Sequence, residues 1–514
     1  IGWCAKAPMA RPRESRRDAG ATWKADMRFD FDSETRRKLG YRLIDQVDRY
    51  FASLPDRPVQ LPTEQRTYGT LNNPLPEIGG DPVQILDELF GEMVDKGFHV
   101  PSANYFGLMN PTPTYMGFLA EAMVAALNPQ LATLARSQLA SKIELETVRW
   151  MAERVGWGSS FGGTFTSGGN EANFSGLALA LASRFPKSVE DGVGSIGGQP
   201  VVYASAESHH SLDKSTGLLG IGRKALRRVP LTDRLQMDPA KLERAVEEDR
   251  AAGRFPFCIV ATAGTTSSGI VDDIVAIADV CRRHDLWLHV DGAYGAAAVF
   301  SDKHRDRVRG IELADSITID PHKWLSVPFA AGVILTRHPK VLEQAFSVAS
   351  PYMPKAADAR LPDNSRTSTQ WTRRMNSLKL WLTLRVHGRQ AYEEYIDRQL
   401  QLTRSFVDWV EQSPDFEIAA PTMLTIVNFR VKSAGRSPQQ LASLHADIVE
   451  EVTRDGQRWI SDTVVNGKSV LRMMVISYLT EERHLKDLEN ALQAAARSVL
   501  SRVPEEAGAN PRSD

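Results

Sequence analysis

The chain has 514 residues, is 42% hydrophobic and 24% charged, and carries a formal net charge of −1. That length exceeds a single compact core and implies two or three structural units, while the balanced charge argues against nucleic acid or an anionic membrane as the main partner. Cys4, Cys258 and Cys281 lack metal-ligand spacing, which fits a reducing cytoplasm and argues against a disulfide framework or a Cys-based metal site.

Residues 1–26 hold six Lys or Arg but no apolar stretch, so they do not read as a secretory signal. They are expected to form a disordered extension, with Met27 as a natural start. Residues 27–105 read as a helical segment broken by a Pro-rich connector from Pro55 to Pro76. Within it, VQILDELFGEMVDKGF places Ile85, Leu86, Leu89, Phe90 and Met93 on one face. From about residue 140, helical patterns such as SKIELETVRWMAERVGW alternate with short apolar runs: VVYAS, FCIVAT, LWLHVD, SITID and AGVILT. Strands without polar alternation are buried on both faces, and intervening helices imply a mainly parallel sheet, so residues 106–395 form a large α/β domain. LTIVNFR, VLRMMVIS and a helix from Glu481 outline a smaller α+β domain over 396–502, and 503–514 is a loose polar tail. No apolar run reaches the roughly 18 residues of a membrane span.

Ligands of open parallel sheets bind at the carboxyl ends of the strands. Those ends carry Thr262 after FCIVA, Asp291 after LWLHV, and His322 with Lys323 after SITID. TSGGNEANFSGLALALA sets Gly168, Gly169 and Asn170 before a helix, and His209 follows VVYAS by a short loop. Each has an ordinary explanation alone: a turn and cap, a surface acid, a bonded loop histidine, a lysine reaching water along its methylene stem. Together, a lysine, an acid and an anion-binding helix start are the parts that hold pyridoxal phosphate (PLP). Lys323 then binds the cofactor aldehyde, with burial and nearby positive charge expected to lower its pKa. Asp291 pairs with the ring nitrogen, the amides after Gly168 and Gly169 and the Asn170 side chain receive the phosphate, and His209 and Ala293 pack on opposite ring faces.

The motifs TSGGNEAN, SHHSLDKS, ATAGTT, HVDGAYGAA, ADSITIDPHKWL and VLRMMVIS occur in one order between Thr166 and Ser477, within a stretch of resemblance that runs from about Phe98 to Leu500. The chain resembles the group II PLP-dependent amino acid decarboxylases, which include the aromatic-L-amino-acid, glutamate and histidine enzymes. The resemblance implies an α/β fold of the PLP-dependent transferase type (aspartate aminotransferase fold type I), with a large, mainly parallel-sheet domain and a small C-terminal α+β domain. It implies decarboxylation of an L-amino acid in a cytoplasmic homodimer with the site at the subunit boundary. It assigns His209 rather than His210 to the stacking position and puts Thr262 and His322 beside the cofactor. Thr112 and Arg472 are assigned to the substrate. Tyr352, 29 residues beyond Lys323 in SVASPYMP, is the residue that returns a proton to Cα. Tyr105, Phe106, Pro111 and Thr112 agree with the aromatic enzymes. Met109, Asn110, the run Gln138-Leu139-Ala140-Ser141, and Asp320 in place of an asparagine depart from them. An aromatic or bulky substrate is the first expectation and an acidic amino acid the alternative, with aminotransfer or carbon–carbon lysis as other reactions of the same fold.

Overall fold

A computed structural model describes residues 29–62, 69–71, 74–348, 363–432 and 436–502. Tyr352 and the two terminal segments lie outside the described residues.

Seven strands build the larger sheet: β1 (Gly162–Thr166), β2 (Pro200–Ser205), β3 (Leu226–Val229), β4 (Phe255–Thr262), β5 (Trp287–Asp291), β6 (Ser316–Ile319) and β7 (Gly332–Thr336). Their order is β1-β7-β6-β5-β4-β2-β3. β7 is antiparallel to both its neighbours and every other pairing is parallel, so one strand alone is reversed. The mainly parallel expectation holds.

The uninterrupted apolar runs have a direct cause. Along β2 and β4, successive side chains enter opposite cores. Val201, Tyr203, Ile259 and Ala261 join one cluster with Leu242, Val246 and Ile277 of the helices Pro239–Ala251 and Ile274–Arg283. Val202, Ala204, Cys258 and Val260 join the other with Ala172, Leu177 and Leu179 of the helix Gly169–Arg184. Each such aliphatic side chain contributes about 1.5–3 kcal/mol when fully buried.

Four antiparallel strands form the second sheet, in the order β10-β11-β9-β8: β8 (Phe416–Ile418), β9 (Ile426–Val431), β10 (Ser461–Val465) and β11 (Lys468–Met474). Asn466 and Gly467, at φ 47° and 75°, make the two-residue turn between β10 and β11. The helix Ser377–Gln412 runs from the large sheet's side to the small one, with a break at Gly388 (φ 76°). In the N-terminal segment the helices Ser33–Ser53 and Pro82–Lys96 form as expected, each capped by an aspartate. None of the residues of Pro82–Lys96 is fully buried within the chain, and Ile85, Leu89 and Met93 remain exposed.

Candidate active site

The register of the parallel strands sets Thr262 opposite Asp291, and Asp291 opposite Thr318. The carboxyl ends of β4, β5 and β6 therefore form one edge. Asp291 is buried and accepts a hydrogen bond on each oxygen, from the Ala293 amide at 3.2 Å and from Asn173 Nδ2 at 2.8 Å. Beyond Ile319 the chain turns through Asp320-Pro321-His322, and the Lys323 amide donates to the Asp320 carbonyl at 2.9 Å. That turn brings Lys323 Nζ to 2.9 Å from Asp320 Oδ2, with the Asp320 side chain 1% exposed and that of Lys323 27% exposed. Burial pushes the Lys323 ammonium down, but the carboxylates of Asp320 and Asp291 outweigh it and hold the group above the ordinary lysine value. This corrects the expected lowering: the nearby charge is negative in the cofactor-free chain.

His209 stands on the rim in the loop between β2 and the helix Ser211–Leu218. Its Nδ1 accepts the Ser211 amide at 3.1 Å, which leaves the proton on Nε2. Enclosure by protein pushes its pKa down, Asp291 opposes this, and Lys323 also acts on it, so His209, Asp291 and Lys323 share one electrostatic environment. Both histidines are exposed, and His210 turns fully outward, its side chain 92% exposed.

Gly168 caps the helix Gly169–Arg184, and the first intrahelical bond runs from the Ala172 amide to the Gly168 carbonyl. The amides of Gly169, Asn170 and Glu171 precede that bond and sit at the positive helix end. Asn170 is exposed there. Glu171 accepts from the Ser167 amide at 2.7 Å and from Thr369 Oγ1 at 2.7 Å, fixing the loop. A Cβ on Gly169 would lie 2.7 Å from Asp320 Oδ2 and 3.2 Å from the Ala293 methyl, so only a bare Cα keeps this cradle open. His322 lies against Gly168, its Nδ1 accepting the Ala331 amide at 2.9 Å.

Behind Asp291 runs a buried chain of donors absent from the sequence-based candidates. Trp287 Nε1 donates to Ser316 Oγ at 2.8 Å, and Ser316 pairs with His289 Nδ1 at 2.8 Å. His289 Nε2 meets Asn173 Oδ1 at 3.1 Å, and Asn173 Nδ2 donates to Asp291. Since Asn173 Oδ1 only accepts, His289 Nε2 carries the proton and Nδ1 accepts from Ser316. Every link thus donates toward the carboxylate. Burial holds His289 well below the ordinary histidine value and keeps it neutral. Gly176 makes room for that ring, which a Cβ there would meet at 2.4 Å. The sequence signal is Asn173 itself, a polar residue three positions after Asn170 on a helix whose neighbouring positions Ala172, Phe174 and Leu177 are apolar.

Thr262 donates its amide to Asp272 Oδ2 at 2.8 Å, while its buried hydroxyl has no hydrogen-bond partner among the described residues. Asp320 Oδ1 is likewise buried without one. Arg472, on β11, is held by Ser461 Oγ and by the Thr266 carbonyl, both at 3.1 Å, which brings its guanidinium to the loop that follows β4. Thr112 is fully buried, its hydroxyl bonded to the Pro101 carbonyl at 2.7 Å and to Ser477 Oγ at 2.6 Å. Neither of those bonds reaches the Lys323 group. The amine, the buried carboxylate, the amides of a helix start, the glycine cradle and the two orphaned oxygens fit a pyridine aldehyde bearing a phosphate.

A family model described as "Pyridoxal-dependent decarboxylase conserved domain" matches residues 65–432. The chain is 29% identical over 481 residues to an aromatic-L-amino-acid decarboxylase of Bacillus atrophaeus, covering 93% of this chain and 98% of that one. It is also 29% identical over 481 residues to a phenylacetaldehyde synthase of Arabidopsis thaliana, covering 91% and 97%. The crystal structure of Oryza sativa TDC with PLP and tryptamine superposes with a TM-score of 0.85 at 26% identity, covering 91% of this chain and 99% of that one.

Proposed function

The chain belongs to the pyridoxal-dependent decarboxylase family, and on that premise we propose that it removes the α-carboxyl group of an aromatic or bulky L-amino acid, releasing the amine and carbon dioxide. The observation that carries this reading is the gathering of Lys323 with the carboxylates of Asp320 and Asp291 at the open ends of β5 and β6. When bound, PLP supplies a protonated ring that takes up the electron pair left at Cα as carbon dioxide departs.

The residues divide the remaining work. Lys323 would hold the cofactor covalently, and its side chain is exposed enough for a substrate amine to reach it. Asp291, anchored by Asn173 and Ala293, keeps the ring nitrogen protonated. Stabilising charge that develops against such a fixed group is worth roughly 3 kcal/mol or more. The amides of the Gly169–Arg184 helix start take the phosphate, aided by Asn170, with His322 beside them. His209 would cover one face of the ring and Ala293 the other, with Thr262, in register with Asp291, beside it. Arg472 would draw the substrate carboxylate, and Thr112, bonded to Ser477, is the second residue assigned to the substrate. Tyr352 is assigned to return a proton to Cα. The presence of both His209 and Tyr352 favours amine formation over the aldehyde chemistry named for the Arabidopsis relative.

The working form is a homodimer with its sites at the subunit boundary. Supporting this, Tyr41, Ile85, Leu89 and Met93 of the N-terminal helices are 47–65% exposed, an apolar face that a second copy would cover. No described helix is long and apolar enough to cross a membrane. The free, buried thiols of Cys258 and Cys281 accord with a place in the cytoplasm. A panel of L-amino acids given to the PLP-loaded protein, with carbon dioxide and amine measured together, tests the reading. Equal yields from an aromatic substrate are expected; amino-group transfer without carbon dioxide release would overturn it.

A further inference from the structure

The loop that carries His209 has little apolar packing to hold it. Between Ser205, the last residue of β2, and Ser211, the first of the next helix, three of the five residues are exposed: Ala206, His209 and His210. One guanidinium nevertheless grips this loop on both sides of His209. Arg228 Nη1 donates to the carbonyls of Ser205 and Ser208, both at 3.2 Å, and also to Ser208 Oγ. Its Nη2 donates to Asp213 Oδ2 at 2.6 Å. We propose that Arg228 is a positioning residue that holds the His209 imidazole over the cofactor ring. This rests on the reading of His209 as the residue that packs on that ring.

The placement follows from β3. That strand is an edge of the larger sheet and pairs in parallel with β2, setting Arg228 opposite Ala204, beside the point where the loop begins. Alternation along a strand sends neighbouring side chains to opposite faces. Arg227 reaches Asp249 at 3.4 Å, and Arg228 turns to the loop. Charges on an edge strand also discourage pairing with another chain, but that purpose calls for no particular partner. Arg228 instead directs its donors at backbone and side-chain oxygens of a single loop, a task suited to a planar fork and not to the point charge of a lysine. Its ion pair with Asp213 is part-exposed, the two side chains at 30% and 34%, so the pair itself contributes little to stability. Asp213 also faces His210 Nδ1 at 3.5 Å. Beyond His209, Ser211 donates its amide to His209 Nδ1 at 3.1 Å and accepts Asn173 Nδ2 on its hydroxyl at 2.9 Å. Asn173 in turn holds Asp291. The imidazole is thus tied through Ser208 to Arg228 and through Ser211 to the residue that anchors the buried carboxylate. A further tie, from the Asn466 amide to Glu207 Oε1 at 2.9 Å, joins the loop to the hairpin that bears Arg472.

Arg228→Ala should free the loop and leave the sheet intact. In the cofactor-free chain, amide hydrogen exchange across residues 205–213 should quicken by about tenfold or more, with the urea midpoint close to native. PLP affinity should fall roughly three- to tenfold, the size of one aromatic contact, and the visible circular dichroism of the bound cofactor should weaken. Added guanidinium ion at millimolar concentration should reverse these changes. Arg228→Lys keeps the edge charge without the fork and should recover at most about half of the loss. Full recovery by lysine would assign the residue to edge protection and overturn the proposal, as would faster exchange with unchanged PLP affinity and dichroism. Should the alanine variant fail to fold, Asp213→Asn, which keeps the shape and removes one charged acceptor, should move exchange and affinity in the same direction; no movement overturns the proposal. A double-mutant cycle tests the route. On a His209→Ala background, Arg228→Ala should lower PLP affinity no further, and an added loss would show an action that bypasses His209. His209→Ala alone with unchanged affinity and dichroism defeats the reading of His209 on the ring, whereas the exchange measurement tests the grip of Arg228 on the loop without any cofactor.

Discussion

Asn173 Nδ2 lies 2.8 Å from Asp291 Oδ2, joining residues 118 apart in sequence at the floor of the site. All four hydrogen-bonding positions of that amide are used: it donates to Asp291 and Ser211 Oγ, and accepts from Thr318 Oγ1 and His289 Nε2. The donor chain therefore ends on the one carboxylate that must remain charged against a ring nitrogen.

Asn173→Ala leaves the carboxylate, an imidazole and two hydroxyls in a buried space with one partner fewer each. The expected loss is about 2–4 kcal/mol in the cofactor-free protein, read as a lower urea midpoint, together with weaker PLP binding. Unchanged values for both would show that the network does not support Asp291.

Asp272 gives a pH prediction. Burial pushes its carboxyl up to about 6 from 3.8, against the bonds it accepts from the Met237 and Thr262 amides. The folded chain therefore holds this proton between those two values while the unfolded chain has released it. Its stabilising contribution is complete below 3.8 and is lost as pH rises through about 6. The full difference is roughly 3 kcal/mol. Urea unfolding of the native chain minus that of Asp272→Asn, compared between acid and neutral pH, should show the native chain losing ground as pH rises; a flat difference contradicts the assignment.

For Tyr352→Phe, amine formation should slow, and product should shift toward aldehyde with ammonia and peroxide as oxygen is consumed. Chromatography of amine and aldehyde from the same reaction decides this. An unchanged amine yield would mean that another group protonates Cα.

How much of this was legible beforehand depended on whether a signal was local. β2, β4 and β7 are readable because both of their faces enter apolar cores, whereas β5 and β6 bury one apolar face and turn His289, Ser316 and Thr318 into the polar network behind Asp291. Their ends then located Thr262, Asp291 and Lys323 on one edge. β1 opens on two glycines and β3 carries Arg227 and Arg228, so neither stood out as a buried strand. Asn466–Gly467 marks the hairpin of β10 and β11, but the polar alternation of β10 hides the strand before the turn. Asn173 lies within a motif but carries no sequence sign of its role, since its partner comes from a distant strand and only the sheet order brings them together. Asp320 departs from an expected asparagine; that it sits against Lys323 and reverses the expected direction of the lysine's pKa is visible only in the turn.

The central claim is that Lys323 is the residue covalently joined to the cofactor. Borohydride reduction of the PLP-loaded protein, proteolysis and mass mapping test it directly. The account predicts the reduced cofactor on the peptide containing SITIDPHKWL, and its loss together with all turnover in Lys323→Ala. Cofactor fixed to a different lysine, or normal turnover in that variant, would contradict it.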